Sequence, residues 1–196
     1  MKFFQFLFAL LAFMGLLLIG CSDKSQSPVT AVDEQVSLEK AVTTYYTFTD
    51  SPIGFTGEGE VKAIPGGKLQ LKKFGVIELH TSSDPLVNGI MVHNLSITID
   101  AVTGEGPCEG SFTLTPANNA AEGGVWEGKY QGYRSISNVP GEWTLPLKVE
   151  GHGKGGIIDG MQVFANTVLT VRADDPVTAP LPSYWTGVGE GFYKSH

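Results

Sequence analysis

Apolar residues occupy every second position through much of this chain, and this period of two constrains the fold more than any other feature. In GKLQLKKFGVIELH (67–80) the alternation separates an apolar face from a polar one: Leu69, Leu71, Ile77 and Leu79 against Gln70, Lys72, Glu78 and His80. Successive side chains of a β-strand point to opposite faces, so the pattern predicts half-buried antiparallel strands. The 25 glycines and 11 prolines punctuate these segments with turns, and the region from residue 43 onward is predicted to be all-β.

A weak internal repeat divides this region into two halves. VIELH, ending at His80, matches KVEGH, ending at His152, and ITIDA at Ile97 matches LTVRA at Leu169. We interpret this as a duplication of four strands, at 55–63, 67–80, 89–102 and 109–115, then 125–134, 141–152, 160–173 and 184–194. Open sheet edges invite aggregation, so eight such strands are predicted to close into a mostly antiparallel β-barrel, with a β-sandwich as the alternative.

The amino-terminal segment carries a targeting signal. Lys2 precedes an apolar run from Phe3 to Ile19, typical of a secretory signal, although its length also suits a short membrane span. LIGC, ending at Cys21, resembles the lipobox of bacterial lipoproteins. That resemblance implies cleavage before Cys21, diacylglycerol on its sulfur and acylation of the new amine, which together make a durable membrane anchor.

The predicted organisation is therefore a signal peptide (1–20), a lipidated flexible tether (21–42) and a β-barrel domain (43–196). By analogy with such lipoproteins, Ser22 after the cysteine favours the outer membrane of the bacterial cell envelope. The chain holds 20 acidic against 13 basic residues, for a net charge of −7, which argues against nucleic acid as a partner. With Cys21 lipidated, Cys108 lacks a disulfide partner, and we predict a buried thiol.

Two segments suggest a family. WEGKYQGYR (Trp126–Arg134) and GHGKGGIIDGM (Gly151–Met161) resemble small bacterial proteins with an allene-oxide-cyclase-like barrel, which plant allene oxide cyclases and dirigent proteins share. The resemblance implies a calycin-like barrel around an apolar cavity. It assigns no catalytic residue, because no cyclase motif matches this chain residue by residue.

The best ligand-binding candidates lie in the same two segments. Trp126, Tyr130 and Arg134 share one strand face, and if that face lines a cavity they form an apolar pocket with a polar end. The alternative is that the rings pack on Gly128 and Gly132 within the core. His152, at the end of the following predicted strand, is the fourth candidate.

Three other readings of the sequence are weaker. Glu78 with His80 and Glu150 with His152 hold matching repeat positions, but Lys148 shares the second face, which predicts a solvent-facing surface and no metal or other cofactor. The alternation slips near His93, and a β-bulge there explains it. The G-x-G-x-x-G string at Gly151 precedes a strand pattern, whereas a nucleotide loop requires a helix, so Gly153 to Asp159 is predicted to be a hairpin connection.

The leading function predicted is a non-enzymatic, lipid-anchored barrel that binds a small apolar or amphipathic ligand. A first alternative is an isomerase or cyclase of the allene-oxide-cyclase type, which a buried acid or histidine in the cavity would favour. A second alternative is an envelope interaction protein without a ligand, which a packed barrel interior would favour.

Overall fold

Nine β-strands form the described part of the protein, which in this computed structural model comprises residues 41–57, 59–172 and 184–195. The predicted signal peptide, Cys21 and most of the tether lie outside these ranges. Within these ranges, no helix is long and apolar enough to cross a membrane. The strands are β1 (Thr43–Phe55), β2 (Glu60–Ile64), β3 (Lys68–Ser82), β4 (Gly89–Asp100), β5 (Gly106–Pro116), β6 (Val125–Ile136), β7 (Glu142–Lys154), β8 (Gln162–Arg172) and β9 (Tyr184–Lys194).

Eight of these strands close into an antiparallel barrel, which confirms the predicted fold class. The hydrogen-bonded order is β1-β9-β8-β7-β6-β5-β4-β3, and pairing of β1 with β3 completes the ring. β2 pairs with β3 and lies outside the ring. The predicted first strand, 55–63, is wrong: the ring uses β1 instead, because its alternating Tyr46, Phe48 and Asp50 are the residues that turn inward.

A β-bulge in β3 reverses which side chains face the lumen. Leu71 pairs with Ile97 and Phe74 pairs with Leu95, so Lys72 and Lys73 together oppose a single residue of β4. The extra residue changes the phase of the alternation. Beyond it Val76, Glu78 and His80 are buried, whereas Leu79 is exposed. Grouping Leu79 with Leu71 on one face was therefore wrong.

The β-bulge predicted at His93 is wrong, because the register shift lies in β3 and not in β4. β4 alternates regularly, with Met91, His93, Leu95, Ile97 and Ile99 on the inner face. Ile90 and Val92 are exposed on the outer face. Because these outward residues are apolar, the hydropathy pattern predicts a change of alternation in β4, whereas the irregularity lies in β3.

Relieving the backbone strain at Lys73 in the bulge is expected to stabilise the barrel modestly. Lys73 has a φ of 56°, a left-handed conformation that costs a residue with a Cβ roughly 1–2 kcal/mol. Lys73→Gly removes that strain but adds chain entropy to the unfolded state, so the free energy of unfolding should rise by about 0.5–1 kcal/mol in urea titrations. Lys72→Gly is the control and should lower the free energy of unfolding by a similar amount. If both substitutions change the free energy of unfolding equally, Lys73 is not strained.

One end of the barrel is plugged by its hairpin connections. Short 3₁₀ turns lie at Pro85–Val87, Ala117–Asn119 and Gly156–Ile158, in the β3–β4, β5–β6 and β7–β8 connections. Between them Trp126 is fully buried, and its indole Nε1 donates to the Leu86 carbonyl at 2.7 Å. The glycine-rich stretch at 151–160 is thus part of a hairpin, as predicted, and Gly156 is required there because a Cβ would meet the Ala121 carbonyl.

The inner glycines of β9 make room for the large side chains of β1. Gly187, Gly189 and Gly191 face inward, and a Cβ at each would meet Asp50, Phe48 or Tyr46, respectively. These alternate glycines therefore belong to the packing of the lumen, and they allow β1 to direct two aromatic rings and a carboxylate into it.

Candidate functional site in the barrel lumen

The barrel interior contains ionisable side chains that are almost completely buried. Asp50, Glu78, His80 and Arg134 are 5%, 4%, 3% and 2% exposed, respectively. Burying a charge costs several kcal/mol even after the surroundings relax, so such groups are retained where they are paired or where they act on something.

Asp50 and His80 form the first carboxylate–imidazole pair. They are direct cross-strand partners on β1 and β3, and Nδ1 of His80 lies 2.6 Å from Oδ1 of Asp50, with the imidazole N–H as donor. The Phe48 ring stacks obliquely on the imidazole with centroids 4.4 Å apart. The pair is thus fixed by register on one side and by an aromatic ring on the other.

Glu78 is the centre of a second polar group. Its Oε2 accepts from Nε2 of His93 at 2.8 Å, and its Oε1 accepts from the indole Nε1 of Trp185. The His93 ring contacts Tyr130 edge-on, with centroids 5.3 Å apart. Because Glu78 and His80 are two residues apart on β3, both carboxylate–imidazole pairs lie along the same wall of the lumen.

Two small cavities lie along the lumen and share part of their walls. The larger is about 60 Å³ and the smaller about 40 Å³. Glu78, His93, Tyr130, Leu147 and Leu169 line both cavities. Ligand pockets ordinarily have 300–1,000 Å³, so these cavities suit a molecule of only a few heavy atoms unless side chains move.

Arg134 lines the larger cavity, and two of its guanidinium nitrogens lack a hydrogen-bond partner among the described residues. Its Nε and Nη2 are buried and bond to nothing among the described residues. Its Cζ lies 4.3 Å from the ring centroid of Trp143, a cation–π contact that supports the guanidinium from one side. Burial lowers the pKa of Arg134 to about 10, so the group still carries its charge at neutral pH.

Tyr130 and Cys108 are two further buried side chains, and both stay neutral. Burial raises the pKa of Tyr130, and nearby Cys108 and Glu78 raise it further, so the phenol keeps its proton. Burial also raises the pKa of Cys108 to about 12, with Glu109 adding to the effect. The thiol is buried, as predicted, and is not an activated nucleophile.

The four residues predicted to bind ligand are separated by the fold. Tyr130 and Arg134 line the same cavity. Trp126 lies on the same inner face but is packed in the plug, with its indole bonded to backbone and its ring 5.7 Å from that of Tyr193. His152 is exposed on the outer face of β7.

The two Glu–His pairs of the repeat lie on opposite sides of the barrel wall. Glu150 and His152 face outward, as expected, whereas Glu78 and His80 face inward. The bulge in β3 has no counterpart in the pairing of β7 with β8, so matching positions beyond it differ in phase. Among the described residues, no group of three or more His, Cys, Asp or Glu side chains could hold a metal ion.

Comparison with known proteins gives the chain no relative: no family model, curated protein or solved structure matches it. The closed eight-stranded antiparallel barrel is consistent with a calycin-like architecture.

Proposed function

We propose that this protein binds a small apolar or amphipathic molecule in the lumen of its barrel. The observation that carries the proposal is Arg134, a guanidinium that faces an apolar cavity with two of its nitrogens unpaired among the described residues. A buried ionic group without a partner is strongly unfavourable in the free protein. A ligand that supplies the missing acceptor would offset this cost.

The envelope location is part of the same proposal. The lipobox-like LIGC motif supports a lipid anchor at Cys21, which would hold the barrel at the bacterial cell envelope, most simply at the outer membrane. On this proposal the protein contacts the membrane through its lipid alone. The acidic net charge argues against nucleic acid as a partner.

Native mass spectrometry of the full-length protein tests ligand binding. We expect additional mass on the wild type, either carried through purification or acquired from a panel of short-chain acids, amides and alcohols. Val171→Phe is the matched variant, because Val171 lines the larger cavity together with Arg134 and the added ring carbons fill it at a stability cost of about 1–3 kcal/mol. A wild-type spectrum without adducts across the panel would contradict the proposal and favour a ligand-free interaction protein.

A second candidate function is an isomerase or cyclase of the allene-oxide-cyclase type, and the buried Glu78–His93 pair favours it. In such a reaction the Glu78 carboxylate takes a proton from a carbon beside a carbonyl, the Tyr130 hydroxyl donates a hydrogen bond to the carbonyl oxygen, and the proton returns to another carbon.

Deuterium exchange separates catalysis from binding. If the second candidate is correct, small ketones incubated with the protein in D₂O gain deuterium, and Glu78→Gln stops the gain while the fold persists. Unlabelled ketones after incubation with the wild type would leave binding as the function.

A further inference from the structure

We infer that the lumen selects a short-chain monocarboxylate, with its carboxylate on Arg134 and its alkyl chain in the larger cavity. The inference rests on the proposed function and names the chemical class of ligand for the same site. Three features of the lumen support it: the geometry of the unpaired guanidinium, the apolar lining of the cavity, and the Glu78 carboxylate in the same cavity.

The unpaired atoms of Arg134 define the acceptor. Nε and one terminal nitrogen of a guanidinium form a planar fork that matches the two oxygens of a carboxylate. Both Nε and Nη2 of Arg134 are buried and unpaired among the described residues. One carboxylate neutralises one guanidinium, whereas a phosphate would leave excess negative charge in an apolar enclosure, so the carboxylate is the better match.

The remainder of the cavity defines the body of the ligand. Beside Arg134 its wall is hydrocarbon, from Leu71, Val76, Leu95, Leu145 and Val171. At about 60 Å³ the cavity is well below the roughly 150 Å³ that holds benzene in another protein. We therefore expect an unbranched chain of about three or four carbons, whose burial contributes roughly 0.8 kcal/mol per CH₂.

Glu78 excludes a second carboxylate. It lines the same cavity and already accepts from His93 and Trp185. A dicarboxylate such as succinate would bring its second negative charge toward Glu78, and His93, the other basic side chain besides Arg134 among the described lining residues, is already bonded to that carboxylate. Like charges in such an enclosure repel strongly, so the lumen should discriminate against dicarboxylates.

NMR titration of the full-length protein with butyrate, butyramide and succinate tests this inference. We expect the wild type to bind butyrate at least tenfold more tightly than butyramide, and succinate no better than butyramide, because hydrogen bonds to charged groups are the stronger ones. Arg134→Met should reduce butyrate binding to the level of butyramide and leave butyramide unchanged. Arg134→Lys, which keeps the charge but not the fork, should lose about tenfold.

The Tm of the ligand-free protein distinguishes a binding role of Arg134 from a structural one, because the two roles predict Tm changes of opposite sign. Arg134→Met should raise Tm by about 5 °C, because it replaces an unpaired buried charge with an apolar side chain of similar length. A lower Tm together with unchanged butyrate affinity would make Arg134 a structural residue and overturn the inference. Equal binding of butyrate and butyramide would overturn it while leaving the proposed function standing, and no binding of either or of any other member of the panel of acids, amides and alcohols would overturn both.

Discussion

Replacing His80 with leucine is expected to lower the free energy of unfolding by about 3–5 kcal/mol, because Asp50 then remains buried without its partner. The two side chains are 2.6 Å apart and almost completely buried, so water cannot replace the lost hydrogen bond. Urea denaturation followed by circular dichroism measures the change. An exposed ion pair would contribute less than about 1 kcal/mol.

The double variant Asp50→Leu with His80→Leu shows whether the pair is retained for stability. Replacing both members of a buried pair with apolar side chains is commonly neutral or stabilising. We therefore expect the double variant to regain most of the stability that the single variant loses. If it is as unstable as His80→Leu alone, the pair contributes net stability, and its presence needs no functional explanation.

Glu78→Leu is expected to have an effect of similar size for a different reason. The carboxylate accepts from both His93 and Trp185, so its removal leaves the buried Trp185 donor and the partly buried His93 donor unsatisfied, at about 1–3 kcal/mol each. Glu78→Gln keeps an acceptor for one of them and should lose roughly half as much. Urea titrations of the three proteins give the comparison.

Glu127→Leu is the matched control for Glu78→Leu. Glu127 lies on the outer part of β6 and pairs with exposed Lys154 at 3.4 Å. Its loss should change the free energy of unfolding by less than about 1 kcal/mol. Equal losses at positions 78 and 127 would show that Glu78 is not the centre of a buried network.

The barrel class was predictable from the sequence, because alternation over eight segments and abundant glycine leave few other folds. The first strand of the ring was not predictable. Asp50 is one of the inward-facing residues of β1, and an acid among them hides the apolar pattern. A buried charge breaks the rule that apolar residues mark the inner face. Buried charged residues are the ones that a hydropathy pattern misassigns.

The lumen site itself was only half predictable. Tyr130 and Arg134 follow a regular alternation on β6, so their shared face was readable. Glu78 and His80 were assigned to the face opposite Leu71, and only the bulge at Lys72 and Lys73 reverses this. Both faces of β3 are apolar beyond the bulge, with Phe74 and Val76 on one side and Ile77 and Leu79 on the other, so hydropathy alone gives no phase. The paired lysines were the only local sign of an irregularity.

The three tryptophans of the chain allow the most direct measurement of lumen binding. The indole N–H of Trp185 bonds to Glu78 in the lumen and that of Trp126 to Leu86 in the plug. The indole N–H of Trp143 bonds to the Thr103 carbonyl, and the ring of Trp143 contacts Arg134. In ¹H–¹⁵N spectra of tryptophan-labelled protein titrated with butyrate, we expect the Trp185 and Trp143 indole signals to shift and saturate while the Trp126 signal stays in place. Three stationary indole signals at saturating butyrate and with the amides and alcohols of the panel would contradict a ligand site in the lumen.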